Sequence, residues 1–309
     1  MTTAPTKPDT SLPVYDAKDF ATDQDVRWCP GCGDYAVLTG VRKALAQLPH
    51  RREDYVFVSG IGCGARFPYY MNTYGMHSIH GRGLAVATGI KLANPDLKVY
   101  VVSGDGDLLS IGGNHTMHAM RRNVDITLIL LNNRIYGLTK GQYSPTSEFG
   151  KVTSSTPAGS IDFPLNPIAL AVAVGCTFVA RCIDVDMKLL DGALKRADAH
   201  RGTSFIEVYQ DCNIFNHQAW FYASQKDTRP ENTILVEHGK PLIYGAKRDK
   251  GLRFNGGKIE KVMLGNGITE KDLIVHDETD RNLAFAYAQM CHPEFPEPMG
   301  ILYADPTKP

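Results

Sequence analysis

Downstream of Gly33 the chain alternates between two hydrophobic rhythms. Ala36, Leu38, Val41, Ala44, Leu45 and Leu48 recur at helical spacing, which gives one helix an apolar face and a polar one. The next apolar stretch, residues 55–59, is short and unbroken and runs into the turn Gly60-Ile61-Gly62, the mark of a buried strand. The same alternation continues with a helix over 84–93, a strand over 98–103, a helix over 113–122 and a strand over 126–131. Helices over 167–174 and 185–200 and a strand over 203–209 complete it. Strands of near-continuous Val, Ile and Leu between amphipathic helices predict a mostly parallel sheet covered on both faces, an α/β doubly wound fold.

The rhythm fails at both ends. Residues 1–25 lack periodic apolar positions and read as a tail or a strap lying on a partner. Residues 26–225 form the regular domain. Residues 226–309 carry scattered charges and Pro-rich turns, with one short helix near 283–290, and read as a C-terminal extension packing on the domain or on a partner.

Composition narrows the class. Lys+Arg and Asp+Glu balance at 33 each, so net charge draws the chain to neither nucleic acid nor an anionic membrane. No apolar run approaches the roughly 18 residues that span a bilayer, and the start of the chain has no apolar signal core. The expectation is a cytoplasmic protein. Seven cysteines, an odd number, then argue for reduced thiols or metal ligands rather than a disulfide framework.

Two constellations carry chemistry. Asp105, in Gly104-Asp105-Gly106-Asp107, follows the strand over 98–103, and Asn133 follows the strand over 126–131 with one helix between them. Both belong to one βαβ unit, so both emerge at the carboxyl edge of the sheet, where open α/β folds bind ligands. One carboxylate, one amide oxygen and a backbone carbonyl suit Mg²⁺ shared with a phosphorylated ligand. Gly104 and Gly106 let the backbone approach that phosphate, and the following helix N-terminus supplies N–H groups. Taken singly, each motif reads more readily as an ordinary turn, with Asp105 as a helix cap, and only their joint placement favours a shared ion.

The second constellation is Cys29 and Cys32 in Trp28-Cys29-Pro30-Gly31-Cys32-Gly33, Cys63 in Gly60-Ile61-Gly62-Cys63, and Cys212 beyond the strand over 203–209. All four sit at strand or helix ends that can meet at one rim of the sheet. Four thiolates serve a structural Zn²⁺ or a [4Fe–4S] cluster. Spacing alone does not separate them, although one pair joined by two isolated cysteines tilts toward a cluster. Cys176, Cys182 and Cys291 lie in apolar surroundings and read as small buried residues.

With these residues and the runs His77-Ser78-Ile79-His80-Gly81-Arg82-Gly83 and Asn132-Asn133-Arg134-Ile135-Tyr136-Gly137-Leu138-Thr139-Lys140-Gly141-Gln142, the chain resembles the β subunits of 2-oxoacid:ferredoxin oxidoreductases, most closely the 2-oxoglutarate type. The resemblance covers roughly residues 25–225. It implies a thiamine-diphosphate-binding domain in which Asp105, Asn133 and the backbone of Ile135 hold Mg²⁺. It also makes Cys29, Cys32, Cys63 and Cys212 ligands of one [4Fe–4S] cluster. Gly62, Cys63, His77, Gly104, Asp105, Gly106, Asn133, Ile135, Gly137 and Leu138 become cofactor contacts, with Asp107 at the same loop as a helix-terminal residue rather than a second metal ligand.

The implied reaction is reversible CoA-dependent oxidative decarboxylation of 2-oxoglutarate to succinyl-CoA and CO₂, a step of citric-acid-cycle chemistry, with electrons passed to ferredoxin. Pyruvate or another 2-oxoacid is the alternative substrate, and a non-redox thiamine-diphosphate decarboxylase subunit or a zinc-stabilised scaffold the alternative class. Arg66 can pair with a distal carboxylate in fork geometry or make a structural salt bridge. His80 and Lys140 are the other candidate catalytic residues, His80 as a proton carrier and Lys140 as part of a covering loop. The chain has room only for the diphosphate-binding half of a thiamine site. The resemblance therefore implies an α subunit that supplies the activating Glu and the CoA site, as an (αβ)₂ assembly.

Overall fold

The computed structural model describes residues 13–307, so the strap expected over 1–25 lies partly outside the described residues. Eight strands make the main sheet: β1 (Tyr55–Ser59), β2 (Tyr74–His77), β3 (Lys98–Gly104), β4 (Thr127–Asn132), β5 (Phe178–Ile183), β6 (Ser204–Tyr209), β7 (Thr233–Val236) and, after three further strands, β11 (Glu297–Ala304). Their order is β2-β1-β3-β4-β6-β5-β11-β7. Neighbours from β2 through β5 are parallel, whereas β11 runs antiparallel to β5 and parallel to β7. β8 (Ile243–Tyr244), β9 (Lys250–Asn255) and β10 (Lys258–Met263) form a small antiparallel sheet.

Successive strand residues face opposite layers, so each strand feeds two cores. Val56 and Val58 of β1, Val99 and Val101 of β3, and Leu128 and Leu130 of β4 pack with the helices Gly83–Ala93, Gly113–Arg121, Pro167–Ala173 and Arg281–Ala288. The alternate residues Tyr55, Phe57, Tyr100, Val102, Ile129 and Leu131 pack with the helices Asp34–Leu45 and Met187–Ala199. A mostly parallel sheet with helices on both faces is the expected α/β doubly wound fold.

Four strands of the main sheet, β2, β5, β7 and β11, fall outside the strands read from the sequence. β2 is an exposed edge strand. β5 is fully buried yet carries Arg181, whose partner in register on β6 is Glu207, with Nε donating to Oε2 at 2.8 Å. β11 contains Pro298 and Gly300, and lies buried between β5 and β7. Residues 226–309 thus contribute β7, β11 and the helix Arg281–Ala288 to the main sheet and its core. At the other end, Phe20 is fully buried against Tyr55, and Ala21 bridges Met71. Among the described residues no helix is long and apolar enough to cross a membrane.

Candidate functional site

β3 and β4 are adjacent, and Gly104 pairs in register with Leu131, so Asp105 and the Asn132-Asn133 pair leave the sheet side by side. Asp105 is almost wholly buried. Its Oδ2 accepts from the hydroxyls of Ser144 and Thr146, the latter at 2.5 Å. Burial pushes the Asp105 carboxyl up to about 6, against the pull of those two donors. Thr146 Oγ1 also lies 2.9 Å from Asn132 Oδ1, and Asn132 Nδ2 donates to Glu207 at 2.8 Å. The loop after β4 is a succession of Asx turns, in which Asn132 Oδ1 accepts from Arg134 N and Asn133 Oδ1 from Ile135 N, each at 3.2 Å.

After Asp105 the chain enters a π-helical turn over Gly106–Ile111, a geometry frequent at functional sites. A side chain on Gly106 would meet the Tyr136 ring at 2.2 Å, and the Tyr136 hydroxyl donates to Gly106 O at 2.9 Å. Glycine here lets the loops after β3 and β4 touch. Asp107 turns away from Asp105. Its Oδ1 accepts from the backbone of Ile61 (3.0 Å) and Gly81 (2.7 Å), and Oδ2 accepts from Ser103 Oγ at 2.6 Å.

These loops enclose one cavity. Gly62, Cys63, His80, Gly104, Asp105, Gly106, Asp107, Asn133, Ile135, Gly137 and Leu138, eleven residues singled out in the sequence, all line it. His77, Arg66 and Lys140 do not. His77 sits on β2 with Nδ1 3.1 Å from Ser59 Oγ. Arg66 donates from its guanidinium to the Arg27 carbonyl at 2.9 Å, close enough to Cys63 to draw its thiol downward. Lys140 is exposed, at left-handed φ of 73°, in the turn closed by the Tyr136–Gln142 bridge.

Three residues of this site escaped sequence reasoning. Ser144 and Thr146 lie in Ser144-Pro145-Thr146-Ser147, which reads as a plain turn. Asp34 opens the first long helix, is 2% exposed, and lines the cavity. Burial, then the neighbouring Asp184, pushes its carboxyl up to about 7. No sequence signal marks it beyond its place beside Cys32.

All seven cysteines are free thiols. Gly137 connects two of them: a Cβ built there would lie 3.5 Å from Cys212 Sγ and 3.7 Å from Cys63 Sγ. Cys32 feels the charges of Cys212 and Cys63, and Cys63 those of Cys212 and Cys29. Burial pushes the Cys63 thiol up to about 12 and raises Cys32 and Cys212 as well. Yet among the described residues no three His, Cys, Asp or Glu side chains close on a single-ion site. Gln210 Nε2 lies 3.3 Å from Cys32 Sγ, an N–H donor to that sulfur.

Comparison with known proteins places this site in a family. The family described as the thiamine pyrophosphate enzyme C-terminal TPP binding domain matches residues 60–208, from the glycine turn before Cys63 to the end of β6. The 2-oxoglutarate oxidoreductase subunit KorB of Mycobacterium tuberculosis is 53% identical over 271 residues, covering 88% of this chain and 72% of that protein. The chain belongs to the β subunits of the 2-oxoacid:ferredoxin oxidoreductases. Within this β-subunit family, the 2-oxoglutarate synthase subunit KorB of Archaeoglobus fulgidus is 43% identical, covering 77% of this chain and 90% of that one. A solved 2-oxoglutarate:ferredoxin oxidoreductase from Magnetococcus marinus, with 2-oxoglutarate, coenzyme A and succinyl-CoA bound, superposes with a TM-score of 0.78 at 33% identity. It covers 97% of this chain and 88% of that one. The family accounts for the fold and for thiamine diphosphate as the cofactor.

Proposed function

We propose that this chain is the β subunit of a CoA-dependent 2-oxoglutarate:ferredoxin oxidoreductase, interconverting 2-oxoglutarate and succinyl-CoA plus CO₂. The observation that carries this reading is a cavity lined by Asp105, Asn133, Ile135 and Cys63 together, with Cys212 Sγ 3.5 Å from a Cβ placed on Gly137 of the same cavity. Relatives named for 2-oxoglutarate favour that substrate over pyruvate.

Bound thiamine diphosphate supplies the electron sink for decarboxylation, and a [4Fe–4S] cluster supplies one-electron steps. Asp105, the Asn133 amide and the Ile135 carbonyl would hold Mg²⁺ against the diphosphate, while Gly62, Gly104 and Gly106 let the backbone come close to it. Cys29, Cys32, Cys63 and Cys212 would hold the cluster. His80 lines the cavity with Nδ1 2.7 Å from Asp107 Oδ1, and its ring is the candidate for proton transfer there. Arg66 lies outside the cavity with its guanidinium on the Arg27 carbonyl, and it would have to leave that carbonyl to pair with the distal carboxylate of 2-oxoglutarate. A diphosphate-binding domain is half of a thiamine site, so in this reading an α subunit brings the activating Glu and the CoA site, in an (αβ)₂ assembly that reduces ferredoxin in the cytoplasm.

The test is to co-purify the chain with its α subunit without oxygen and measure iron, acid-labile sulfide, zinc and thiamine diphosphate. Ferredoxin reduction is then assayed with 2-oxoglutarate and with pyruvate. About four irons and four sulfides per β chain, with turnover favouring 2-oxoglutarate, is the expected result. Zinc without sulfide, or pyruvate as the better substrate, overturns the cluster or the substrate assignment respectively.

A further inference from the structure

Arg134 stands between two of the proposed metal donors, Asn133 and Ile135, in a left-handed backbone conformation with φ of 56°. A residue with a Cβ pays to sit there, so surrounding contacts must hold it. They are unusually many. Its guanidinium carbon lies 3.6 Å above the Trp220 ring, and its NH1 donates to Glu148 Oε1 at 3.0 Å. Trp220 is itself pinned, stacked on Tyr209 at 3.5 Å and donating its indole N–H to Asn132 O at 2.8 Å. The turn's carbonyls are taken up too. Asn216 Nδ2 donates to Asn133 O at 2.9 Å, and Ser147 Oγ donates to Arg134 O at 2.6 Å.

We propose that Arg134 is a positioning residue for the divalent metal: wedged on Trp220, it locks the left-handed turn that brings the Asn133 amide and the Ile135 carbonyl to the same cavity as Asp105. The inference rests on the reading of Asp105, Asn133 and Ile135 as metal donors. A flexible turn would sample many orientations of those two oxygens, and Mg²⁺, which demands near-octahedral geometry, bears such disorder poorly. The planar guanidinium is suited to the task because it stacks on an indole face while ion-paired at its edge, which an ammonium cannot do.

The decisive comparison is between Arg134→Ala and Arg134→Gly in the αβ complex. Both remove the guanidinium, but only glycine occupies the left-handed region without penalty. Cofactor-stripped complexes are titrated with Mg²⁺ at saturating thiamine diphosphate by calorimetry, and melting temperatures are recorded alongside. Arg134→Ala is expected to weaken Mg²⁺ binding about tenfold or more, Arg134→Gly to recover part of that loss, and Trp220→Leu to resemble Arg134→Ala. Mg²⁺ affinity unchanged in Arg134→Ala, or equal losses in Ala and Gly variants that track their melting temperatures, overturns the inference. Asp105→Ala separates the two levels of the argument. Abolished Mg²⁺ binding in that variant, with an unaffected Arg134→Ala, leaves the donor set standing and removes only the role of Arg134. Retained binding in Asp105→Ala overturns the donor set, and the positioning role with it.

Discussion

The Asp107 carboxylate and the His80 ring meet at 2.7 Å, and around that contact three separate loops are tied together. Asp107 takes backbone N–H groups from the first glycine turn at Ile61 and from the His80 loop at Gly81, and a hydroxyl from Ser103 on β3. It is 4% exposed, so each donor would lose its partner without access to water. Asp107→Ala is expected to destabilise the protein by about 3 kcal/mol or more, since a single unsatisfied buried donor costs about 1–3 kcal/mol. Asp107→Asn, which keeps an acceptor, should cost less. Urea unfolding checks the order of the two, and equal stability of wild type and Asp107→Ala would refute it.

Gly106 and Tyr136 set the shape of the cavity. A methyl group on Gly106 reaches the Tyr136 ring at 2.2 Å, so Gly106→Ala must displace the ring. Overpacking of this kind costs about 1–3 kcal/mol. The larger expected effect is local, with thiamine diphosphate retention after gel filtration falling while the secondary structure by circular dichroism stays intact.

Asp105 links pH to the site with opposite signs for stability and for binding. In the folded chain its carboxyl is raised from 3.8 to about 6, so the metal-free protein gains stability as pH falls through 6 toward 4 and loses it as pH rises. Metal binding needs the carboxylate, so Mg²⁺ affinity should fall below pH 6 by about tenfold per unit while one proton competes. Thr146→Val removes a donor to Oδ2 and should move that midpoint upward. Calorimetric titration with Mg²⁺ between pH 5 and 7.5 measures both effects, and a pH-independent affinity would rule out Asp105 as a ligand.

The seven thiols should divide cleanly by chemistry. Serine at Cys63 or Cys212 is expected to lower iron and sulfide content to a small fraction of wild type. Cys176 and Cys182 are fully buried in the apolar core, and Cys291 is exposed away from the cavity. Alanine at Cys176 or Cys182 should affect stability without changing iron content, and Cys291→Ser should change neither. Iron content unaltered in Cys63→Ser would contradict the cluster assignment.

What the sequence by itself determined are the features that depend on neighbours along the chain. The apolar runs of β1, β3 and β4 and the helical periods between them are local, because burial on both faces demands runs of apolar residues. Asp105 and Asn133 were legible for the same reason, since each directly follows such a strand. Tertiary structure alone decided the rest. β5 hid behind Arg181, a charge tolerable in the sheet only because Glu207 faces it from the next strand. β11 hid because an irregular strand with Pro298 and Gly300 acquires its place from β5 and β7 on either side. Ser144 and Thr146 reach Asp105 across about forty residues of chain, and Trp220 reaches Arg134 across more than eighty. No local period encodes such contacts, because a buried polar group is satisfied by whatever donor the fold brings to it.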